Sequence, residues 1–257
     1  MPPDPTSVPL DQTKAAAEAL EERISSHTVG IVARDKGNPE QGIGTGTLVL
    51  VAGRIYVLTA AHVVSDTPVE ELRFFPKTEG ALRRDSYLNR ASAGVTPSRR
   101  FPASRLHVYG EADLAAIELH PDQFREVYAV PFEFLDESTT PPEDRTVVYC
   151  GYPGSAGGIV GPGSKAACAC FDWNQVEPPA KLPDSDPARF FLVGYGCKEL
   201  HPGGFSGAAV WWQNNPQGIW RPNIRLGGII QTYYPRLNLF ECLRVEVVKE
   251  FMSAMGA

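Results

Sequence analysis

The sequence lacks the long apolar run that a membrane-spanning helix requires. None of its 257 residues lie in a stretch approaching the roughly 18 consecutive apolar residues that cross a bilayer. The N-terminal residues 1–5 (MPPDP) also lack a basic stretch followed by an apolar one, so no secretory signal is visible. From these two absences we expect a cytoplasmic protein with no membrane partner.

An excess of positive charge is also missing. The formal net charge is −6 and the pI is about 5.4, which gives no electrostatic reason to bind nucleic acid.

Cysteines are few, odd in number and not spaced as a disulfide framework, so we expect unpaired thiols in a reducing compartment. The five are Cys150, Cys168, Cys170, Cys197 and Cys242.

Turn-forming residues are abundant. The chain has 24 Gly and 23 Pro, and 43% of its residues are apolar, which favours short strands around a substantial core. Helical patterns occur near the two ends, at 11–24 and at 245–255. The sequence therefore predicts an all-β fold with one helix at each end.

The predicted strands form two groups, separated by a Pro- and Glu-rich link at 121–145. Those of the first group are 28–33, 46–51, 54–59, 72–75, 106–109 and 113–119. Those of the second group are 146–150, 166–171, 190–195, 208–212 and 226–231. We accordingly divide the chain into an N-terminal extension with a helix (1–25), a first β unit (26–130) and a second β unit with the C-terminal helix (131–257).

Three short segments each place one reactive polar group in an apolar or glycine-rich run. They are LTAAHVV around His62, DLAAI beginning at Asp113, and GGFSGA around Ser206. Taken alone, His62 could be a capping residue, Asp113 a strand-start turn residue, and Ser206 an incidental serine in a glycine-rich hairpin. Together, in this order, they supply a base, a carboxylate to orient it and a hydroxyl nucleophile.

The order of these residues separates classes of serine hydrolase. The α/β-hydrolases place their histidine after the nucleophile, whereas all five histidines here precede Ser206. A subtilisin-like order would need an aspartate before His62, and Asp4, Asp11 and Asp35 do not lie in convincing strands. Neither alternative fits.

The three motifs resemble those of the chymotrypsin/trypsin-like serine peptidases, most closely their bacterial, disulfide-free branch. The resemblance implies two six-stranded antiparallel β-barrels with the site in the cleft between them. It implies a serine endopeptidase with His62, Asp113 and Ser206 as its triad and the amides of Gly204 and Ser206 as its oxyanion hole. Its substrate would be a polypeptide, and no cofactor is implied.

The sequence departs from the family pattern around the nucleophile and in the primary pocket, and the mildest departure is Ala208, which stands where a second glycine usually follows the nucleophile. Phe205 stands where digestive members carry an acid that pairs with a newly cut N-terminus, so we expect no activation by that ion pair. By resemblance, the primary pocket is formed by Leu200, His201, Gln231, Thr232 and Tyr233. No acid stands at its floor, which favours a small or apolar substrate side chain, although Glu199 is one position away.

Two weaker hypotheses remain open. Cys168, Cys170, Cys197 and His201 have spacings that zinc ligands can adopt, but buried unpaired cysteines are the more common reading of such a pattern, and we expect no metal. The second is a latent regulatory or binding module on the same fold, activated by a protein partner. It is suggested by the N-terminal helix, the basic segment 77–105 and the expected cytoplasmic location.

Overall fold

The computed structural model describes residues 10–33, 41–76, 83–85, 90–92, 103–119, 131–153, 168–196, 201–213 and 224–256. Strands dominate these residues, which confirms the all-β prediction. Leu200 and Cys197 lie outside the described residues, as does most of the basic segment 77–105.

The two terminal helices lie where the sequence predicts them, and a short internal helix is additional. Helix α1 spans Leu10–Ser26, the short α2 spans Ala61–Val64, and α3 spans Val245–Ala254. The apolar stripes of the two terminal helices face the protein, with Ile24 of α1 and Val248 of α3 fully buried. In the described parts of the chain, no helix is both long and apolar enough to cross a membrane.

A six-stranded antiparallel sheet forms from the first half of the chain. Its members are β1 (Thr28–Ala33), β2 (Gln41–Val51), β3 (Arg54–Ala60), β4 (Leu72–Pro76), β7 (Ala103–Tyr109) and β8 (Leu114–Leu119). Their order is β4-β1-β2-β3-β8-β7. Among the described residues no pairing joins β4 to β7, so closure of this sheet into a barrel stays a prediction.

The second half of the chain forms a closed barrel. Its strands are β9 (Thr146–Gly151), β10 (Cys168–Glu177), β11 (Phe190–Gly194), β12 (Ala209–Gln213), β13 (Ile224–Tyr234) and β14 (Leu239–Arg244). The order β11-β14-β13-β12-β9-β10 is closed by pairing of β10 with β11. Closure removes the exposed strand edges that would otherwise invite pairing with other chains.

Two short strands connect the first half of the chain to this barrel. They are β5 (Arg83–Asp85) and β6 (Arg90–Ser92). Strand β6 pairs with the beginning of β10, where Ser92 lies opposite Cys168. The sequence did not predict these strands, because three-residue strands held by a distant partner have little local signal.

Three apolar clusters make up the core. One lies within the first sheet, a second within the closed barrel, and the third lies between them and includes residues of α1 and α3. Strand β8 contributes to two of them, because Leu114 and Ala116 face the shared core while Ala115 and Ile117 face the interior of the first sheet. Both faces of β8 are therefore covered.

The described part of the predicted link contacts both sheets through a few buried residues. Phe132 is 1% exposed and forms a bridge with Val49 of β2. Further along, the hydroxyl of Ser138 accepts a hydrogen bond from the Leu226 amide of β13 at 3.1 Å. The segment thus attaches first to one sheet and then to the other.

Candidate active site

His62 lies in α2, immediately after β3. Val57 and Leu58 of β3 are fully buried, and Ala61, Val63 and Val64 of α2 are buried as well. These apolar residues hold the short helix against the first sheet. The His62 side chain is 51% exposed, so its imidazole is anchored through its backbone and still accessible from solvent.

Asp113 makes two contacts with His62 and one with its neighbour Ala61. Its Oδ2 lies 2.6 Å from His62 Nδ1, its Oδ1 accepts the His62 amide at 2.8 Å, and its carbonyl accepts the Ala61 amide at 2.8 Å. The sequence predicted that Asp113 opens strand β8. Instead it precedes Leu114 in the left-handed region, with φ 46° and ψ 41°, a conformation that aspartate tolerates better than most residues.

The carboxylate determines the protonation of the imidazole. The hydrogen bond that His62 Nδ1 donates to Asp113, together with the negative charge of that carboxylate, raises the pKa of His62 above 6.5, while partial burial opposes that change. The bond at Nδ1 also leaves Nε2 as the ring nitrogen available to a reacting group.

Ser206 lies in a tight loop before β12 that requires glycine. Gly204 and Gly207 have φ of 102° and 86°. A Cβ at Gly207 would also lie 2.1 Å from the Thr45 carbonyl oxygen and 2.2 Å from Thr59 Oγ1. The loop therefore rests directly on β2 and β3 of the first sheet.

The backbone amides of this loop alternate in their bonding. Those of Phe205 and Gly207 donate to the carbonyls of Pro202 and Ile230, at 3.1 and 2.8 Å. Within the described part of the chain, the amides of Gly204 and Ser206 have no protein acceptor. Two unengaged amides flanking one residue can bind a developing oxyanion.

Contacts with β2 bring this loop to the sheet that carries His62. The Thr45 amide donates to the Ser206 carbonyl at 3.0 Å, and Thr45 Oγ1 donates to the Gly204 carbonyl at 2.6 Å. A Cβ at Gly44 would meet Val63, the neighbour of His62, at 2.6 Å and the Ser206 carbonyl oxygen at 3.2 Å. The role of Thr45 could not be predicted from the sequence, because its hydroxyl contacts residues 107 and 159 positions away.

The Ser206 hydroxyl has one hydrogen-bond partner among the described residues. It donates to the carbonyl oxygen of Gln231 at 3.4 Å. Gln231 is 4% exposed, and its side-chain amide makes no hydrogen bond within the described structure. The Gln231 residue expected to line the pocket therefore does lie next to Ser206.

Phe205 anchors the loop on its other side. Its ring is 1% exposed and packs edge-on against Tyr149 at 5.6 Å and Tyr195 at 6.2 Å, and beside Phe240 at 5.8 Å. The Tyr149 hydroxyl donates to Asp172 at 2.5 Å, and burial raises the pKa of Tyr149 well above its ordinary value. Aromatic contacts thus hold this side of the loop.

The other residues expected in the primary pocket have different environments. Thr232 and His201 are exposed, and His201 Nδ1 accepts the Gly203 amide at 3.1 Å. The Tyr233 ring lies 5.3 Å from that of Tyr195 and 5.4 Å from that of Phe240.

The zinc hypothesis involves residues that the structure describes only in part. The side chains of Cys168 and Cys170 fall outside the description, and the described residues contain no group of potential metal ligands.

A family model described as a trypsin-like peptidase domain matches residues 44–215, which is more than half of the chain. The matched range includes His62, Asp113 and Ser206. No curated protein matches the sequence.

Proposed function

The chain belongs to the trypsin-like peptidase domain family, and from that premise we propose that it is a serine endopeptidase with Ser206 as its nucleophile. The observation that carries this proposal is the pairing of His62 Nδ1 with Asp113 Oδ2 at 2.6 Å, on the sheet against which the Ser206 loop is bound. The resemblance to this family also implies that the catalytic site lies in a cleft between two β-barrels.

The proposed reaction proceeds through an acyl-enzyme. Ser206 Oγ attacks the peptide carbonyl while His62 Nε2 takes the hydroxyl proton, and the Gly204 and Ser206 amides bind the oxyanion. The C–N bond then breaks, and His62 returns the proton to the leaving amine. Water, deprotonated by His62, hydrolyses the ester and restores Ser206. Asp113 holds the imidazole in the required tautomer and stabilises the imidazolium.

A fluorophosphonate probe tests the nucleophile. We expect the wild-type protein to be labelled and Ser206→Ala to be unlabelled, since only a serine activated by a base reacts readily with such a probe. Ser65→Ala is the matched control, because Ser65 is an exposed serine three residues from His62. Undiminished labelling of Ser206→Ala in folded protein would refute the assignment.

We propose that the substrate residue before the cleaved bond is small or apolar. The support is the uncharged character of the proposed pocket, in which the Tyr233 ring packs against those of Tyr195 and Phe240. No acid is present among the described residues proposed for the pocket, which are His201, Gln231, Thr232 and Tyr233. A peptide library digested by the protein measures this preference, and cleavage mainly after Lys or Arg would contradict it.

A second candidate is a site that a protein partner activates. The observation that favours it is the Ser206 hydroxyl, whose partner is the Gln231 carbonyl and not the imidazole. Probe labelling without cleavage of any library peptide would favour this candidate. Labelling together with cleavage would favour the constitutive peptidase.

A further inference from the structure

The amide, carbonyl and hydroxyl of Thr45 all form hydrogen bonds at or beside the loop that carries Ser206. The residue is fully buried in β2. Its hydroxyl donates to the Gly204 carbonyl at 2.6 Å and accepts the Tyr152 amide at 2.9 Å. Its amide donates to the Ser206 carbonyl at 3.0 Å, and its carbonyl accepts the Thr59 hydroxyl at 2.8 Å.

The hydrogen bond from the Thr45 hydroxyl restrains the backbone at Gly204. A glycine at φ 102° has wide access to other backbone conformations, because no Cβ limits its rotation. The amide of the same residue is one of the two proposed oxyanion donors. The Gly204 carbonyl shares its peptide plane with the Phe205 amide, so a hydrogen bond to this carbonyl fixes the peptide unit that lies between the two proposed donor amides. With this unit fixed, the neighbouring units that carry the Gly204 and Ser206 amides are restrained to rotation about the bonds that join them to it.

We propose that the Thr45 hydroxyl is a positioning residue for the oxyanion donors, a role that rests on the proposed peptidase function. It joins the first sheet, which carries His62 and Asp113, to the Gly204 carbonyl and to the end of β9 at Tyr152. Its loss would leave the His62–Asp113 pair intact and allow the Gly204 amide to move away from the reacting oxygen.

Thr47 provides a matched comparison within the same strand. It lies two residues further along β2 and therefore on the same face. Like Thr45 it is fully buried, but its hydroxyl has no hydrogen-bond partner among the described residues. Replacing either threonine by valine removes one buried hydroxyl and keeps the β-branched shape, so only the hydrogen bonds differ.

The experiment measures kcat and KM for cleavage of a peptide substrate by wild type, Thr45→Val, Thr45→Ser and Thr47→Val. We expect Thr45→Val to lower kcat by about 10- to 100-fold with little change in KM, because misplaced donors weaken binding of the transition state more than that of the substrate. Thr45→Ser should retain kcat to within about threefold, since it keeps the hydroxyl. Thr47→Val should match wild type, and the midpoint of the pH profile should be the same in all four.

A second pair of variants covers the case in which Thr45→Val does not fold. Thr45→Ala and Thr45→Ser lack the same methyl group and differ by the hydroxyl alone, so equal kcat values in this pair would overturn the proposal. Wild-type kcat in folded Thr45→Val would overturn it as well, without affecting the proposed function. A wild-type protein that neither reacts with the probe nor cleaves peptides would contradict the peptidase function, and the role of Thr45 would fall with it.

Discussion

At the scale of single residues, the proposed activity depends on how Asp113 changes the pKa of His62. A general base must be neutral before it can take a proton, so a raised pKa moves the loss of activity to higher pH. We expect kcat/KM to fall as the pH drops through a midpoint above 6.5, the ordinary value for histidine. A profile that stays flat down to pH 5 would rule out His62 as the base.

The substitution Asp113→Asn isolates the cause of this shift. Without the carboxylate, the pKa of His62 should fall, and kcat should drop by about 10⁴-fold, as in a characterised triad with the same change. Titration of the imidazole by NMR in the Ser206→Ala background measures the pKa directly. An unchanged midpoint in Asp113→Asn would show that the carboxylate does not control it.

The raised pKa of His62 also makes the free energy of unfolding depend on pH, with the opposite sign to the dependence of activity. Because the folded protein holds the His62 proton more tightly than the unfolded chain does, the pair stabilises the fold most below the unfolded pKa. That contribution is lost as the pH rises through the folded pKa. Activity should therefore rise over the pH range in which this part of the stability declines.

At the scale of secondary-structure elements, local pattern predicted much of the fold. Strand β1 was predicted with its observed bounds, and β3 ended within one residue of the prediction. Strand β14 was missed, although its residues Leu239 and Phe240 are buried. Its stability comes from pairing with both β11 and β13, and such tertiary pairing leaves only a weak trace in local propensity.

The parts of the site that sequence could not predict depend on distant partners. Thr45 is separated by 107 residues from the Tyr152 amide and by 159 from the Gly204 carbonyl. The left-handed backbone of Asp113 is likewise fixed by contacts with Ala61 and His62, across 51 residues in the latter case. Motifs identified the candidate residues, but the Thr45 contacts arise only when the two sheets pack together, and the Asp113 contacts only when β3 and β8 pair.

At the scale of the whole molecule, one apolar core joins both sheets to the terminal helices. This shared core includes Leu58 of the first sheet, Trp211 of the barrel and Ile24 of α1. Phe132 and His27 also pack against the Trp211 ring, with ring centroids 5.0 and 5.6 Å away. The two sheets are thus held together by common contacts, which favours unfolding as one unit.

Replacing Ile24 by alanine tests whether the two sheets unfold as one unit. Ile24 is fully buried, so Ile24→Ala should lower the free energy of unfolding by about 2–5 kcal/mol through lost contacts and the cavity left behind. Ala19→Ser, at an exposed position of the same helix, should cost only about 0.5 kcal/mol. In urea unfolding followed by tryptophan fluorescence and far-UV circular dichroism, the two signals should change together in a single transition, in Ile24→Ala as in the wild type. Separate transitions would mean that each sheet unfolds independently and that the core between them does not couple the His62 sheet to the Ser206 barrel.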